Sequence, residues 1–189
     1  MDTNSQVKIL EAQIRECFGR VVWSHKTQEK CADIILSRHN IIKYIQIGLS
    51  ALTTTGVLVT VFGENKTVGI ITATISAILF AINTFVKGND LGEIAQKHSD
   101  SASDLWNVRE EYFSLLTDIK AEIIDFDELV KRRDLLHDRL SNIYKGSPRT
   151  INKAYKEATK ALKLNEELTL SDNEINMFLP HELKKDNNE

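Results

Sequence analysis

Apolar and polar positions divide this chain into two kinds of stretch. From Val7 to Ile35, positions 7, 10, 14, 17, 21, 24, 28, 31 and 35 follow a 3-4-3-4 spacing, and seven of the nine are apolar. That spacing places them on one side of a helix, as a seam against another helix. It predicts a helix from residue 4 to about 40, weakened in its middle by Gly19 and running directly into the charge-free stretch that begins at Tyr44. The pattern resumes at Leu91 and keeps its phase to Ile143, with twelve of sixteen seam positions apolar. Asp125-Phe-Asp-Glu128 has the form of a helix start, so helices are expected at about 88–123 and 126–144, with one uninterrupted helix as the alternative. Lys145-Gly-Ser-Pro148 closes that segment. A further helix is expected over 150–164, with Ile151, Ala154, Tyr155, Ala158, Ala161 and Leu162 near one face. Ser171-Asp-Asn-Glu174 is a capping box, flanked by Leu170 and Ile175 as a hydrophobic staple. Residues 181–189 are expected to fray.

Between the two seams the chain changes character. Tyr44–Gly63 and Thr67–Val86 are each 20 residues without a charge, separated by Glu64, Asn65 and Lys66 alone. Twenty helical residues cover about 30 Å, the thickness of a bilayer's hydrocarbon core. A soluble helix shows water a charged face, and neither run has a charge to show. The expected fold is therefore an all-α membrane protein: a two-span helical hairpin with long cytoplasmic helices packed as a bundle. The expected organisation is an N-terminal helix at 1–43, the hairpin at 44–86, a helical region at 87–180 and a tail at 181–189.

Charge then orients the hairpin. Lys26, Lys30, Arg38 and Lys43 precede the first span, and Lys87 and Lys97 come after the second, against Lys66 in the turn. Six against one predicts both termini in the cytoplasm. The opening residues lack the basic start and apolar stretch of a signal peptide, and the first span is expected to direct insertion. The net charge of −3 shows no basic excess, so direct nucleic-acid binding is not expected.

Candidate chemistry is sparse. No phosphate-binding loop, nucleophile elbow or H-E-x-x-H pair occurs, and the five histidines are scattered, with His98 on the seam. The chain is read as no enzyme, with no cofactor or metal site. Cys17 and Cys31 lie about 21 Å apart on one helix, too far for a disulfide, and are expected to pack in the core. The spans offer more. Gln46, Ser50, Thr53 and Thr60 fall within an arc of about 80°, and Thr72, Ser76 and Asn83 within about 40°. Beside the latter, Gly69, Ala73, Ala77 and Ala81 recur every fourth residue, a ridge that lets another helix approach closely. The polar arcs line a water-filled path in an oligomer, or they hydrogen-bond between packed helices and line nothing. No intramembrane charge marks an active transporter.

Ser147-Pro-Arg-Thr-Ile-Asn-Lys-Ala-Tyr-Lys-Glu-Ala-Thr-Lys-Ala-Leu-Lys163 and Asn165-Glu-Glu-Leu-Thr-Leu-Ser-Asp-Asn-Glu-Ile-Asn-Met-Phe-Leu-Pro180 resemble the tail of the SLATT family. So does the plan of N-terminal helix, two-span hairpin and long cytoplasmic helices, over about residues 10–180. The resemblance implies an effector of bacterial conflict and antiphage systems in the inner membrane. It implies a homo-oligomer that forms or perturbs a pore on activation, causing cell death or arrest. It further implies a nucleotide-signalling enzyme or reverse transcriptase as partner, and no catalytic residues. The alternative is a membrane-anchored helical scaffold that recruits a cytoplasmic partner.

Overall fold

The structure is a computed structural model describing residues 3–63 and 66–184. The turn predicted at Glu64 and Asn65 lies outside the described residues, as do residues 185–189 of the tail. Six helices occur in order: α1 Thr3–Gly63, α2 Lys66–Gly88, α3 Leu91–Lys120, α4 Phe126–Gly146, α5 Asn152–Lys163 and α6 Asp172–Phe178. No strand occurs among the described residues. A 3-10 turn at His181–Leu183 occupies the start of the tail expected to fray.

α1 is a single helix of 61 residues that carries the N-terminal seam into the first span without a break. The seam keeps its 3-4 rhythm throughout. Ile14, Cys17, Val21, Gln28, Cys31 and Ile35 are buried, and Ile42, Gln46, Leu49, Thr53, Gly56 and Thr60 are half-buried farther on. The first group faces the later helices, α3 to α5, and the second faces α2.

α2 and α3 are separate helices. Asp90 starts α3 by accepting a hydrogen bond from the Glu93 N–H at 3.0 Å, which satisfies one of the donors left over at a helix start. α3 then ends at Lys120, three residues short of the expected boundary, because the chain closes a Schellman turn. The Glu122 N–H bonds to the Ile119 carbonyl at 3.1 Å and the Ile123 N–H reaches back to Asp118 at 3.2 Å. Glu122 holds the left-handed conformation this requires, with φ of 56°. Asp125 caps α4 through the Glu128 N–H at 2.8 Å, so the two-helix alternative is the one the structure adopts.

The core outside the spans lies where α1, α3 and α4 meet. Ile14 and Val21 of α1, Leu105, Tyr112 and Leu115 of α3, and Leu129 and Leu136 of α4 form one cluster. α5 lies along α1 through a narrow face of small side chains, Ala154, Ala158 and Ala161, all buried. Its start is tied by the Ile151 N–H to the Cys31 sulfur at 3.5 Å. Both cysteines are free and buried. α6 opens with the predicted capping box between Ser171 and Glu174.

Candidate functional site: the two-span hairpin

Three contacts set how the spans meet. The Gln46 side-chain N–H donates to Asn83 Oδ1 at 2.7 Å. Gly56 lies against Thr72, so closely that a Cβ on Gly56 would come 3.2 Å from Thr72 Cβ and into its hydroxyl. A Cβ on Gly69 would come 3.0 Å from Thr60 Cγ2. Together they place Gln46 level with Asn83, Gly56 with Thr72 and Thr60 with Gly69, an antiparallel register held by close approach at two glycines. Thr72, Ile75, Leu79, Ile82 and Val86 continue the seam on α2, Thr72 buried and the others half-buried.

This register divides the predicted pore-lining set. Gln46, Thr53, Thr60 and Thr72 stand on the faces that the two spans turn toward each other, while Ser50, Ser76 and Asn83 are exposed. The threonine hydroxyls are satisfied locally: Thr53 donates to the Leu49 carbonyl at 2.8 Å, Thr60 to Gly56 at 2.7 Å and Thr72 to Val68 at 2.8 Å. A threonine bonded back to its own helix turns a methyl outward and asks nothing of its surroundings. The Ser50 and Ser76 hydroxyls make no hydrogen bond among the described residues. The Gln46–Asn83 bond leaves Gln46 Oε1 and the Asn83 amide N–H groups spare.

Ser50, Ser76 and Asn83 share one edge, whereas Thr55, whose hydroxyl also makes no hydrogen bond among the described residues, faces outward from α1. Ser50 stands about 85° round α1 from the middle of its contact face, and Ser76 about 80° round α2 in the same sense along its own chain. Antiparallel helices seen from one end turn in opposite senses, so both serines and Asn83 fall on the same side of the pair. The opposite edge carries Leu52 and Val59 on α1 and Ile71, Ile78 and Phe85 on α2, each exposed. The predicted packing ridge divides as well. Gly69 meets α1 inside the hairpin, whereas Ala73, Ala77 and Ala81 are exposed on the far side of α2.

Between the hairpin and the core of the helical bundle lies a polar layer that the seam pattern did not reveal. His25, Lys26, Thr27, Gln28, His98 and Ser101 are all buried. Gln28 joins three elements: its N–H donates to the Pro148 carbonyl at 3.3 Å, and its Oε1 receives His98 Nδ1 at 2.5 Å. With Oε1 as the acceptor, His98 carries its proton on Nδ1. Burial pushes the His98 pKa down. His25 Nδ1 bonds to the Ala102 carbonyl at 2.9 Å. Lys26 pairs with Glu167 at 2.7 Å and Glu29 at 2.9 Å. Burial works against its charge, but the hydrogen bonds to Glu167 and Glu29 outweigh burial and raise its pKa. The hydrogen bond from Lys26 holds the Glu167 carboxyl below the usual range. Sequence offered a signal for Gln28 and His98, as polar residues at seam positions, but none for Lys26, whose partner lies 141 residues away.

Two of these helices are apolar enough, over enough length, to cross a membrane. The profile of the SMODS and SLOG-associating 2TM effector domain family 4, a SLATT family, matches residues 10–174. The chain belongs to that family. No curated protein and no solved structure shows significant similarity to it. The SLATT domain is a two-transmembrane effector domain of conflict systems, and the two spans of the family are α2 and the last third of α1. Among the described residues no cluster of His, Cys, Asp and Glu could hold a metal ion.

Proposed function

We propose that this SLATT protein assembles in the bacterial inner membrane and opens a water-filled path when triggered, arresting or killing the cell. Both termini lie in the cytoplasm, where the bundle of α1, α3, α4 and α5 receives the signal from a partner of the nucleotide-signalling class. One observation carries the reading: the hairpin sorts its surface. Ser50, Ser76 and Asn83 stand on one edge, Thr55 faces outward among the small residues of α1, and the edge opposite the serines carries Leu52, Val59, Ile71, Ile78 and Phe85. A hairpin surrounded by lipid gains nothing from such sorting. A hairpin in a ring turns one edge to lipid and the other to water.

The two remaining sides suit neighbours. Ala73, Ala77 and Ala81 face outward from α2, and Gly48, Ala51 and Thr55 face outward from α1 at the same depth. Small faces at matching depths let α2 of one copy pack on α1 of the next. That contact is head-to-tail and closes a ring.

The test is leakage of a small dye from liposomes holding the purified protein together with its trigger. Wild type releases dye, whereas Gln46→Leu with Asn83→Leu inserts at equal abundance and leaks less. Leu is favourable within a span, so insertion survives the change. Full leakage from an inserted, assembled double variant would show that these amides do not line the path. Absence of leakage from triggered, assembled wild type would leave a membrane-anchored scaffold.

A further inference from the structure

The C-terminal third of the chain is divided by charge. Residues 145–163 hold six basic side chains and one acidic one, Glu157, in a protein whose net charge is −3. Residues 164–189 hold seven acidic side chains and two basic ones. The basic charges are arranged. Lys153, Lys156, Lys160 and Lys163 fall within an arc of about 80° on α5, and Arg149 precedes them in the segment before the helix. The buried Ala154, Ala158 and Ala161 occupy the opposite arc and face α1, so Lys153, Lys156 and Lys160 face away from the bundle, while the Lys163 ammonium lies over the Trp23 ring of α1, 5.3 Å from its centroid. All four are exposed, and Lys153, Lys156 and Lys160 form no ion pair among the described residues. Like charges one turn apart repel, and a stripe of them is stabilised by an anionic partner.

The tail has a complementary problem. α6 packs on no other helix to any extent. Met177 is 77% and Phe178 80% exposed, and Leu183 beyond them is 65% exposed. Glu166 and Leu168 take left-handed backbone, with φ of 52° and 72°, and between them Glu167 is pinned to Lys26 and Lys30 on α1. The start of the tail is thus tied to α1, while Lys153, Lys156 and Lys160 face away from α1. The height of the stripe does match: Lys26 lies between Cys31 and Trp23, the α1 residues that meet Ile151 and Tyr155 of α5.

We infer that the acidic, apolar tail of one copy docks on the lysine stripe of α5 in the neighbouring copy. Exposed Tyr155, at 54%, offers an aromatic surface beside the stripe for Met177 or Phe178. The bilayer is a poor occupant. About 20 Å of helix separate Cys31 from the first span at Tyr44, and the stripe runs away from the membrane from there. Surface charge is screened over about 8–10 Å. The inference rests on the assembly reading and adds a cytoplasmic contact to it.

The test is photo-crosslinking in liposomes that hold a mixture of isotope-labelled and unlabelled full-length chains. A photoreactive residue replaces Lys156 in one sample and Ala77 in another. From position 156, crosslinks to residues 170–184 of the differently labelled chain are expected. Lys153→Glu with Lys160→Glu should lower that yield about tenfold. Adding Asp172→Lys with Glu182→Lys should restore it, as a merely unfolded α5 could not. Crosslinks only within one chain overturn the inference, as do crosslinks from 156 only to lipid or to added RNA. If position 77 joins copies while position 156 finds no tail, docking fails and assembly stands. If neither position joins copies, both fail.

Discussion

Gln46 and Asn83 are level in the membrane and joined by one hydrogen bond of 2.7 Å, the only side-chain amides in the two spans. Each is costly to leave facing lipid, and each partly satisfies the other. Replacing one strands the other. Gln46→Leu and Asn83→Leu together should destabilise the hairpin less than the two single changes added. The coupling should be about 0.6–1.7 kcal/mol. Equilibrium unfolding of the two single variants and the double variant in detergent or bicelles measures it, and an additive cycle would mean that the bond contributes nothing.

Gly56 admits Thr72 and permits the close approach of the spans. Gly56→Val should push them apart and cost about 1–3 kcal/mol, the usual range for overpacking. Thr72→Ala in the same chain should recover part of the loss by clearing the space. Hydrogen exchange in α2 reports the separation. Exchange unchanged in Gly56→Val would show that the glycine is not needed.

Much of this architecture was legible in the sequence, and the reason is contrast. Outside the spans, apolar seam positions stand out against charge, so α1, α3 and α4 were visible from Ile14, Leu105 and Leu136. Capping residues marked the break at Asp125. Inside the spans the contrast disappears. Thr53 packing on a helix and Ser50 exposed on the edge of the pair are both small hydroxyl residues among apolar ones. Only the register, set by Gly56 and Gly69, tells them apart. The rhythm that would have found it was present: the seam of α1 continues in phase from Ile35 to Thr60. The buried pair of Lys26 and Glu167 was invisible for another reason, since nothing local predicts a partner from the far end of the chain.

Gln28 ties α1, α3 and the α4–α5 linker together. Gln28→Leu leaves the His98 Nδ1–H and the Pro148 carbonyl without their partner in a buried layer. A loss of about 1–3 kcal/mol is expected. Thermal unfolding of the detergent-solubilised protein measures it. Tyr155 and Ile151 amides should also exchange faster, because the linker is no longer held.

The same layer gives a stability profile with pH. His98 titrates below its ordinary value of 6.5 because it is buried. The unfolded chain therefore takes up a proton first as pH falls. The stability His98 lends is complete above 6.5 and declines below it. Glu167 titrates below its ordinary 4.5, so its share is complete above 4.5 and is lost as pH falls through its folded value. Lys26 titrates above its ordinary 10.5, so its share is complete below 10.5 and is lost as pH rises through its folded value. Melting temperature should be flat across neutral pH and fall on the acid side in two stages. His98→Gln should remove the first stage, and a wild-type profile in that variant would assign the stage elsewhere.

Ala158 lies wholly buried against α1. Ala158→Leu should lift α5 away, at a cost of about 1–3 kcal/mol, and loosen the contact of Ile151 with Cys31. Faster alkylation of Cys31, with Cys17 unchanged, would show it.

The unbroken course of α1 has a mechanical consequence. At 1.5 Å per residue its 61 residues form a rod about 90 Å long. One end is gripped by the cytoplasmic bundle and the other by α2, with no linker, glycine hinge or proline between the two grips. A twist applied to the bundle cannot be absorbed on the way and arrives at the membrane as a turn of the first span. Ser50 would swing with it. A partner that never touches the bilayer could then decide which edge of the hairpin faces its neighbours, as a key turns a bolt through the thickness of a door.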